Sequence, residues 1–261
     1  VILPEGITSI GSYAFRGTAI RRINIPSSVT TIGVHAFNGT PIQSVVFTEN
    51  SQIQTIGNYA FNGCSSLQSI EFGENSSLKT LGFRAFYNCS SLKEIVLPNT
   101  VTDVGIECFR ACTKLSKLYF SDAMTYINRF VCYGCSSLVD LHLPNALKTI
   151  YNESFYNTTS LKKIEFPETL NSIQYRAFYN CGIDSLVLPI GLENLGNESF
   201  SNCVSLKYIE MPSYLNSSSH TTYYGYNESG ESYYYNYSRT SYYGYRGNFN
   251  NCTALETIVM R

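Results

Sequence analysis

A short pattern of apolar and polar positions recurs through nearly the whole chain. Its first half reads L-x-x-I-x-[LF]-P, as in residues 92–98, so apolar residues alternate with polar or variable ones. This alternation predicts a short strand with one buried face, and proline can end the strand because it has no N–H for the ladder. Copies begin at Ile20, Ile42, Leu67, Leu92, Leu115, Leu138, Leu161, Ile183, Leu206 and Leu255.

The second half of the pattern reads V-x-x-I-G-x-x-A-F-x-x-[CT]. Its isoleucine position is usually followed by glycine, which favours a tight corner, and most copies then carry a phenylalanine. Copies begin 22 to 25 residues apart, except the last, which begins 49 residues after its predecessor. A unit this short cannot bury its own apolar side chains, so the copies must stack, strand on strand and phenylalanine on phenylalanine, around one long core. The phenylalanines are Phe15, Phe37, Phe61, Phe86, Phe109, Phe155, Phe178, Phe200 and Phe249.

Residues 1–261 are therefore expected to form a single repeat array of about ten units. Both ends of the sequence fall inside a copy of the pattern, and neither offers the polar cap that a terminal repeat needs. We expect an array truncated at both ends, with end-to-end association through the uncapped repeats.

The combined pattern resembles the BspA-like leucine-rich repeats. The resemblance rests on A-F-x-x-C, as in residues 60–64 and 85–89, joined to S-L-x-x-I-x-L-P, as in residues 91–98. It implies a leucine-rich-repeat solenoid, a right-handed, curved and strand-rich β/α horseshoe with a concave parallel sheet and short helical or 3-10 turns on the convex side. It also implies an extracellular or cell-surface protein that adheres to a protein or carbohydrate of a host or neighbouring cell.

Composition narrows the possible partners. Hydrophobic residues make up 44% of the chain, enough for a continuous core, whereas charged residues make up 14%, against roughly 25% in most soluble domains. The net charge of −1 leaves no global field that would attract nucleic acid or an anionic membrane. No apolar run approaches the roughly 18 residues of a membrane span, so we expect no membrane insertion in this segment.

Seven cysteines occupy one repeat position, where other copies have Thr18, Thr40 or Thr158. Cysteine and threonine interchange where a small, weakly polar group is buried, which predicts an internal ladder of unpaired thiols. Neighbouring rungs lie close enough for a disulfide, but paired rungs would not be replaceable by threonine. The ladder consists of Cys64, Cys89, Cys112, Cys135, Cys181, Cys203 and Cys252.

Residues 132–135 spell C-x-x-C, a motif found in zinc and redox sites. The repeat explains it without either chemistry, because Cys135 is a ladder rung and Cys132 takes the phenylalanine position of its copy. No second C-x-x-C and no nearby histidine pair accompanies the motif. We therefore expect neither a metal site nor a cofactor.

One histidine falls where a ligand could reach it. His142 occupies the exposed middle of a predicted strand, and Tyr119 and Glu165 hold the same place in the adjacent copies. These three side chains are a candidate ligand-binding spot, although solvated strand residues of no particular function would look the same. The sequence indicates no nucleophile and base brought together, so a carbohydrate-active or redox enzyme is the least favoured class.

The long interval before the last copy contains an insertion at residues 216–246. It has ten tyrosines and no aliphatic or phenylalanine residue, so it cannot add to the core and must project as a loop or a hairpin. Its tyrosines, serines and glycines are typical of an antibody paratope, which favours ligand binding; a low-complexity expansion without a task is the alternative. The candidate tyrosines are Tyr223, Tyr224, Tyr226, Tyr233, Tyr234, Tyr235, Tyr237, Tyr242, Tyr243 and Tyr245.

These observations predict a non-enzymatic adhesion module that binds a protein or glycan through its sheet, its insertion or both. The alternative is a structural spacer whose repeats hold other domains away from a surface.

Overall fold

The computed structural model describes residues 1–216, 223–226, 232–235 and 247–261. Its strands run parallel from one repeat to the next and fall into two ladders. In chain order the strands are β1 (Ser9–Ile10), β2 (Arg22–Ile25), β3 (Thr31–Ile32), β4 (Ser44–Phe47), β5 (Thr55–Ile56), β6 (Ser69–Glu71), β7 (Thr80–Leu81), β8 (Glu94–Val96), β9 (Asp103–Val104), β10 (Lys117–Tyr119), β11 (Tyr126–Ile127), β12 (Asp140–His142), β13 (Thr149–Ile150), β14 (Ser172–Ile173), β15 (Ser185–Val187), β16 (Asn194–Leu195), β17 (Tyr208–Met211), β18 (Tyr223–Tyr226), β19 (Ser232–Tyr235) and β20 (Thr257–Met260).

The first ladder is built from the strands that the L-x-x-I-x-[LF] pattern predicts. It comprises three parallel sheets, β2-β4-β6, β8-β10-β12 and β15-β17-β20. The alternation is as expected, since Ile23, Val45 and Leu118 are buried while their neighbours along each strand are exposed or half-buried. The predicted strand at the copy beginning with Leu161 is the exception, because residues 162–168 have no assigned strand. There the backbone N–H of Asp184 donates to the carbonyl of Lys162 at 3.2 Å, so contact with the following repeat is kept.

The second ladder occupies the positions that the sequence indicated only as corners. Its two-residue strands pair in register, as in Thr31 with Thr55 and Ile32 with Ile56. The isoleucine of each pair is buried and the threonine is half-buried. Two residues are too few to show an alternation, so the hydrophobic pattern could not predict these strands.

Each repeat then makes an outer turn, which we define as the segment from the end of a second-ladder strand to the cysteine or threonine rung. Every such turn except the last has two residues with positive φ, for example Arg84 at 52° and Asn88 at 58°. Glycine or asparagine fills the second of these places in most copies, as the left-handed region favours. Within the described residues the one helical element is a 3-10 helix at Ser213–Asn216, so the repeats connect their ladders through turns.

The core runs the length of the array, and the predicted phenylalanine stack is confirmed. Phe61 lies parallel to Phe37, with ring centroids 4.9 Å apart, and to Phe86, at 5.1 Å. The stack is interrupted at the copy that carries Cys132. There Phe120 of the first ladder enters the core and packs edge-on against Phe155 at 6.5 Å.

The insertion begins at Asn216, the last residue of the 3-10 helix. Strands β18 and β19 pair antiparallel, with Tyr223 opposite Tyr235 and Tyr224 opposite Tyr234. Six candidate tyrosines lie in these strands. The candidates Tyr237, Tyr242, Tyr243 and Tyr245 lie outside the described residues.

Candidate ligand-binding face

The parallel register places Tyr119 and His142 side by side on the outward face of the first ladder. Tyr119 of β10 pairs with His142 of β12 on one side and with Val96 of β8 on the other. The Tyr119 and His142 rings have centroids 5.7 Å apart and planes inclined at 56°. Tyr119 and His142 thus hold equivalent positions in successive repeats, and their aromatic side chains lie on neighbouring strands.

Two aspartates hold these rings, and the sequence pattern did not single out either one. The Tyr119 hydroxyl donates to Asp140 at 3.0 Å, and this carboxylate raises the pKa of Tyr119 above its ordinary value. His142 Nε2 lies 3.2 Å from Asp122 Oδ1. Asp122 also accepts the backbone N–H of Asn145 at 3.0 Å, and this bond, followed by His142, lowers the pKa of its carboxyl.

The surroundings of the pair combine apolar and cationic groups. Lys117 Nζ lies 4.6 Å from the centroid of the Tyr119 ring, and Val96 is 51% exposed beside it. A shallow depression of about 450 Å³ opens at this point. Its lining consists of Val96, Leu97, Pro98, Asn99, Tyr119, Phe120 and His142.

Glu165, the third predicted member, is placed differently. It lies in the copy without an assigned strand and is exposed. Among the described residues its carboxylate makes no ion pair and no side-chain hydrogen bond, so it does not join Tyr119 and His142 in one hydrogen-bonded group. Its role in binding stays a prediction.

The outer turns carry a second set of polar and aromatic side chains, and these groups satisfy one another. Glu107 is buried and receives Arg84 Nε and Nη2 at 3.1 and 3.0 Å, as well as Arg110 Nη1 at 3.1 Å. Tyr133 and Tyr156 stack at 4.6 Å, and the Arg110 guanidinium lies 4.5 Å from the Tyr133 centroid. Because these rings and charged groups already contact one another, we interpret the outer turns as a surface that stabilises the contact between neighbouring repeats.

The seven rung cysteines all make the same kind of hydrogen bond, in two runs separated by the rung of Thr158. Each thiol donates to the carbonyl of a core phenylalanine one repeat earlier, as Cys89 does to Phe61 and Cys203 does to Phe178, both at 3.2 Å. Thr18 and Thr158 bond instead to their own turn, as Thr158 does to Phe155 at 2.9 Å, whereas the Thr40 hydroxyl lies 3.4 Å from Cys64 Sγ. All nine cysteines are buried and unpaired in the described residues. Burial raises the pKa of Cys64 to about 11 and that of Cys252 to about 12.

These thiols are therefore expected to be unreactive in the folded protein. Titration with a chromogenic disulfide reagent at neutral pH should detect almost no thiol natively, because the thiolate is the nucleophile and burial disfavours it. After denaturation the same titration should detect all nine cysteines. A denatured count well below nine before any reduction would show that rungs are paired by disulfides.

The C-x-x-C motif lies inside this series. Cys132 and Cys135 are both buried, and burial raises the pKa of each thiol. In the part of the chain that the structure describes, no three histidine, cysteine or acidic side chains are grouped to hold a metal ion. Over the same residues, no helix has the length and apolar content to cross a bilayer.

The strands stack in parallel, each residue pairs with the equivalent residue of the next repeat, and all repeats share one core. These features define a leucine-rich-repeat solenoid. The family model described as "BspA type Leucine rich repeat region" matches residues 1–77, 50–150, 74–183 and 125–256, in six copies. The chain therefore belongs to the BspA-type leucine-rich repeat family, whose members are repeat proteins and generally not catalysts.

Solved structures share this fold. A leucine-rich repeat protein from Bacteroides ovatus is 24% identical, with a TM-score of 0.71 over all of this chain and 68% of that chain. A T. pallidum leucine-rich repeat protein is 30% identical, with a TM-score of 0.56 over 62% of this chain and 78% of that chain. Comparison with curated proteins finds no match.

Proposed function

We propose that this chain is a non-enzymatic adhesion module, secreted or on the cell surface, which binds a protein or glycan through the outward face of its first ladder. The observation that carries the proposal is the Tyr119–His142 pair beside its depression. Aromatic surface next to a few oriented polar groups is typical of ligand sites. Asp140 and Asp122 fix the two rings before any ligand arrives, which lowers the entropy lost on binding.

The tyrosine-rich insertion supplies a second proposed contact surface. It interrupts the last repeat between the first-ladder strands β17 and β20. Tyrosine offers a large amphipathic contact area at low cost in conformational entropy, with protein and carbohydrate ligands alike. The first-ladder face and the insertion would then bind one extended ligand or two separate ones.

The test compares cell binding by three variants of the same protein. The face variant carries Tyr119→Ala and His142→Ala, the insertion variant lacks residues 216–246, and the control carries Tyr126→Ala and Thr149→Ala on the second ladder. Labelled protein is titrated onto cultured epithelial cells and onto an immobilised glycan panel. We expect the face variant to lose at least about fivefold in affinity and the control to stay within about twofold of wild type.

The same experiment distinguishes an adhesion module from a structural spacer. Wild-type binding that neither the face variant nor the insertion variant weakens would contradict the proposal. A wild-type protein that binds neither the cells nor the glycans would favour the structural spacer.

A further inference from the structure

Charged side chains are sorted by sign across the first-ladder face. In each first-ladder copy, the two residues that precede the central apolar residue include most of the lysines and arginines of this face, mixed with a few acids. We call this side the base margin; its cations are Arg21, Arg22, Lys93, Lys117, Lys162, Lys163 and Lys207.

The opposite side of the same copies is predominantly acidic. We define the acid margin as Glu49, Glu71, Glu74, Asp122, Glu165 and Glu168, which lie at the second outward position of a first-ladder copy or just after it; the copy of Glu165 and Glu168 has no assigned strand. From Asn24 to Gly191 these positions contain no lysine or arginine. Farther along the array Glu210 holds the same position, and it is already paired with Arg261 at 2.8 Å.

The acids of this margin are not neutralised within the described part of the chain. Apart from Asp122, which meets His142, none of the six makes an ion pair there, and those five are exposed. Carboxylates on one side of a sheet without counterions raise the local concentration of cations. The margin is therefore electrostatically complementary to a cationic partner, although the chain as a whole is nearly neutral.

Exposed apolar side chains share the margin with the acids. Val96, Val187 and Ile190 are 51%, 48% and 58% exposed. Val96 lines the depression beside Tyr119, and a second depression of about 690 Å³ adjoins Val46 and Glu71 on the same side. A partner that satisfies this surface needs apolar groups as well as positive charges.

We propose that the acid margin binds an extended, basic polypeptide segment that runs across the first-ladder strands, with alternate lysine or arginine and apolar side chains. The inference rests on the proposed function and names the partner of that same face. Strands in a sheet lie about 4.8 Å apart, so a segment that crosses from Glu71 on β6 to the copy that contains Glu165 spans about 20 Å, the length of about six extended residues. Such a segment presents a side chain to the face every second residue, and its cations reach Glu71 while its apolar side chains reach Val96 and Tyr119.

The sign of the margin argues against other ligands. Nucleic acids, sulfated glycans and anionic membranes carry negative charge, which the acid margin repels. A neutral glycan would bind Tyr119 without drawing on Glu71, Glu165 or Glu168. A basic polypeptide engages both the carboxylates and the apolar side chains.

The experiment measures binding of a fluorescent peptide of about ten residues in which lysine alternates with valine, long enough to cross the margin. The acid-margin variant carries Glu71→Gln, Glu165→Gln and Glu168→Gln. A matched control removes the same number of charges from the base margin through Glu94→Gln, Asp184→Asn and Glu256→Gln. We expect the acid-margin variant to weaken binding about tenfold and to flatten its salt dependence, and the control to change it less than about twofold.

Three results would overturn the proposal: no binding of the lysine peptide, equal weakening in both variants, or equal binding of a peptide with glutamate in place of lysine. Val96→Ser with Val187→Ser should also weaken binding, and no change would remove the apolar part of the inference. If epithelial-cell binding depends on Tyr119 and His142 while the lysine peptide does not bind, the adhesion face stands and only the identity of its partner fails.

Discussion

Replacing Phe61 by alanine is expected to lower the free energy of unfolding by about 3–5 kcal/mol. The ring is fully buried and parallel to the rings of Phe37 and Phe86, at 4.9 and 5.1 Å. Alanine would remove the ring from both contacts and leave a cavity between two repeats. Because each repeat is stabilised mainly by its neighbours, the loss weakens two interfaces at once.

Urea denaturation followed by far-ultraviolet circular dichroism measures this loss. Phe61→Leu should fall between wild type and Phe61→Ala, since it keeps part of the volume. Val187→Ala, at a position 48% exposed on the first ladder, should change stability by less than about 0.5 kcal/mol. A loss below about 1 kcal/mol for Phe61→Ala would mean that the phenylalanine stack does not hold the repeats together.

Much of the fold could be predicted from the sequence because its strongest determinant is repeated. The positions of Val45, Phe61 and Leu118 are apolar in nearly every copy, so their burial could be predicted from the spacing. The second ladder could not, since each of its strands has one inward and one outward residue. The positive φ of Arg84 and Glu107 also escaped prediction, because neither residue type favours that conformation and the stacked turns impose it.

The candidate site was predicted in part, for a related reason. Equal repeat lengths place Tyr119 next to His142 once the strands pair in parallel, and the structure has that register. The same argument placed Glu165 beside His142, but its copy has no assigned strand. Asp122 contacts His142 from the segment that follows β10, and repeat spacing alone does not predict contacts of that kind.

Replacing Glu107 by alanine is expected to lower the free energy of unfolding by about 3 kcal/mol. Its buried carboxylate accepts hydrogen bonds from Arg84 and Arg110 of two neighbouring outer turns. Breaking a buried ion pair by removing one partner costs about 3–5 kcal/mol. The lower end applies because the Arg84 and Arg110 side chains are 35% and 32% exposed and can regain water.

Glu198→Ala is the matched control for this experiment. Glu198 holds the same repeat position, with φ of 56° against 58° for Glu107, so alanine changes the backbone preference equally at both sites. Its pair with Arg176 is shorter, at 2.8 Å, but its side chain is 36% exposed against 10% for Glu107. An exposed pair contributes about 0–1 kcal/mol and is screened by salt, so Glu198→Ala should cost less than about 1 kcal/mol and the difference should persist at high salt. If urea denaturation gives the same loss of unfolding free energy for both variants, burial of the Glu107 carboxylate does not strengthen the contact between neighbouring outer turns.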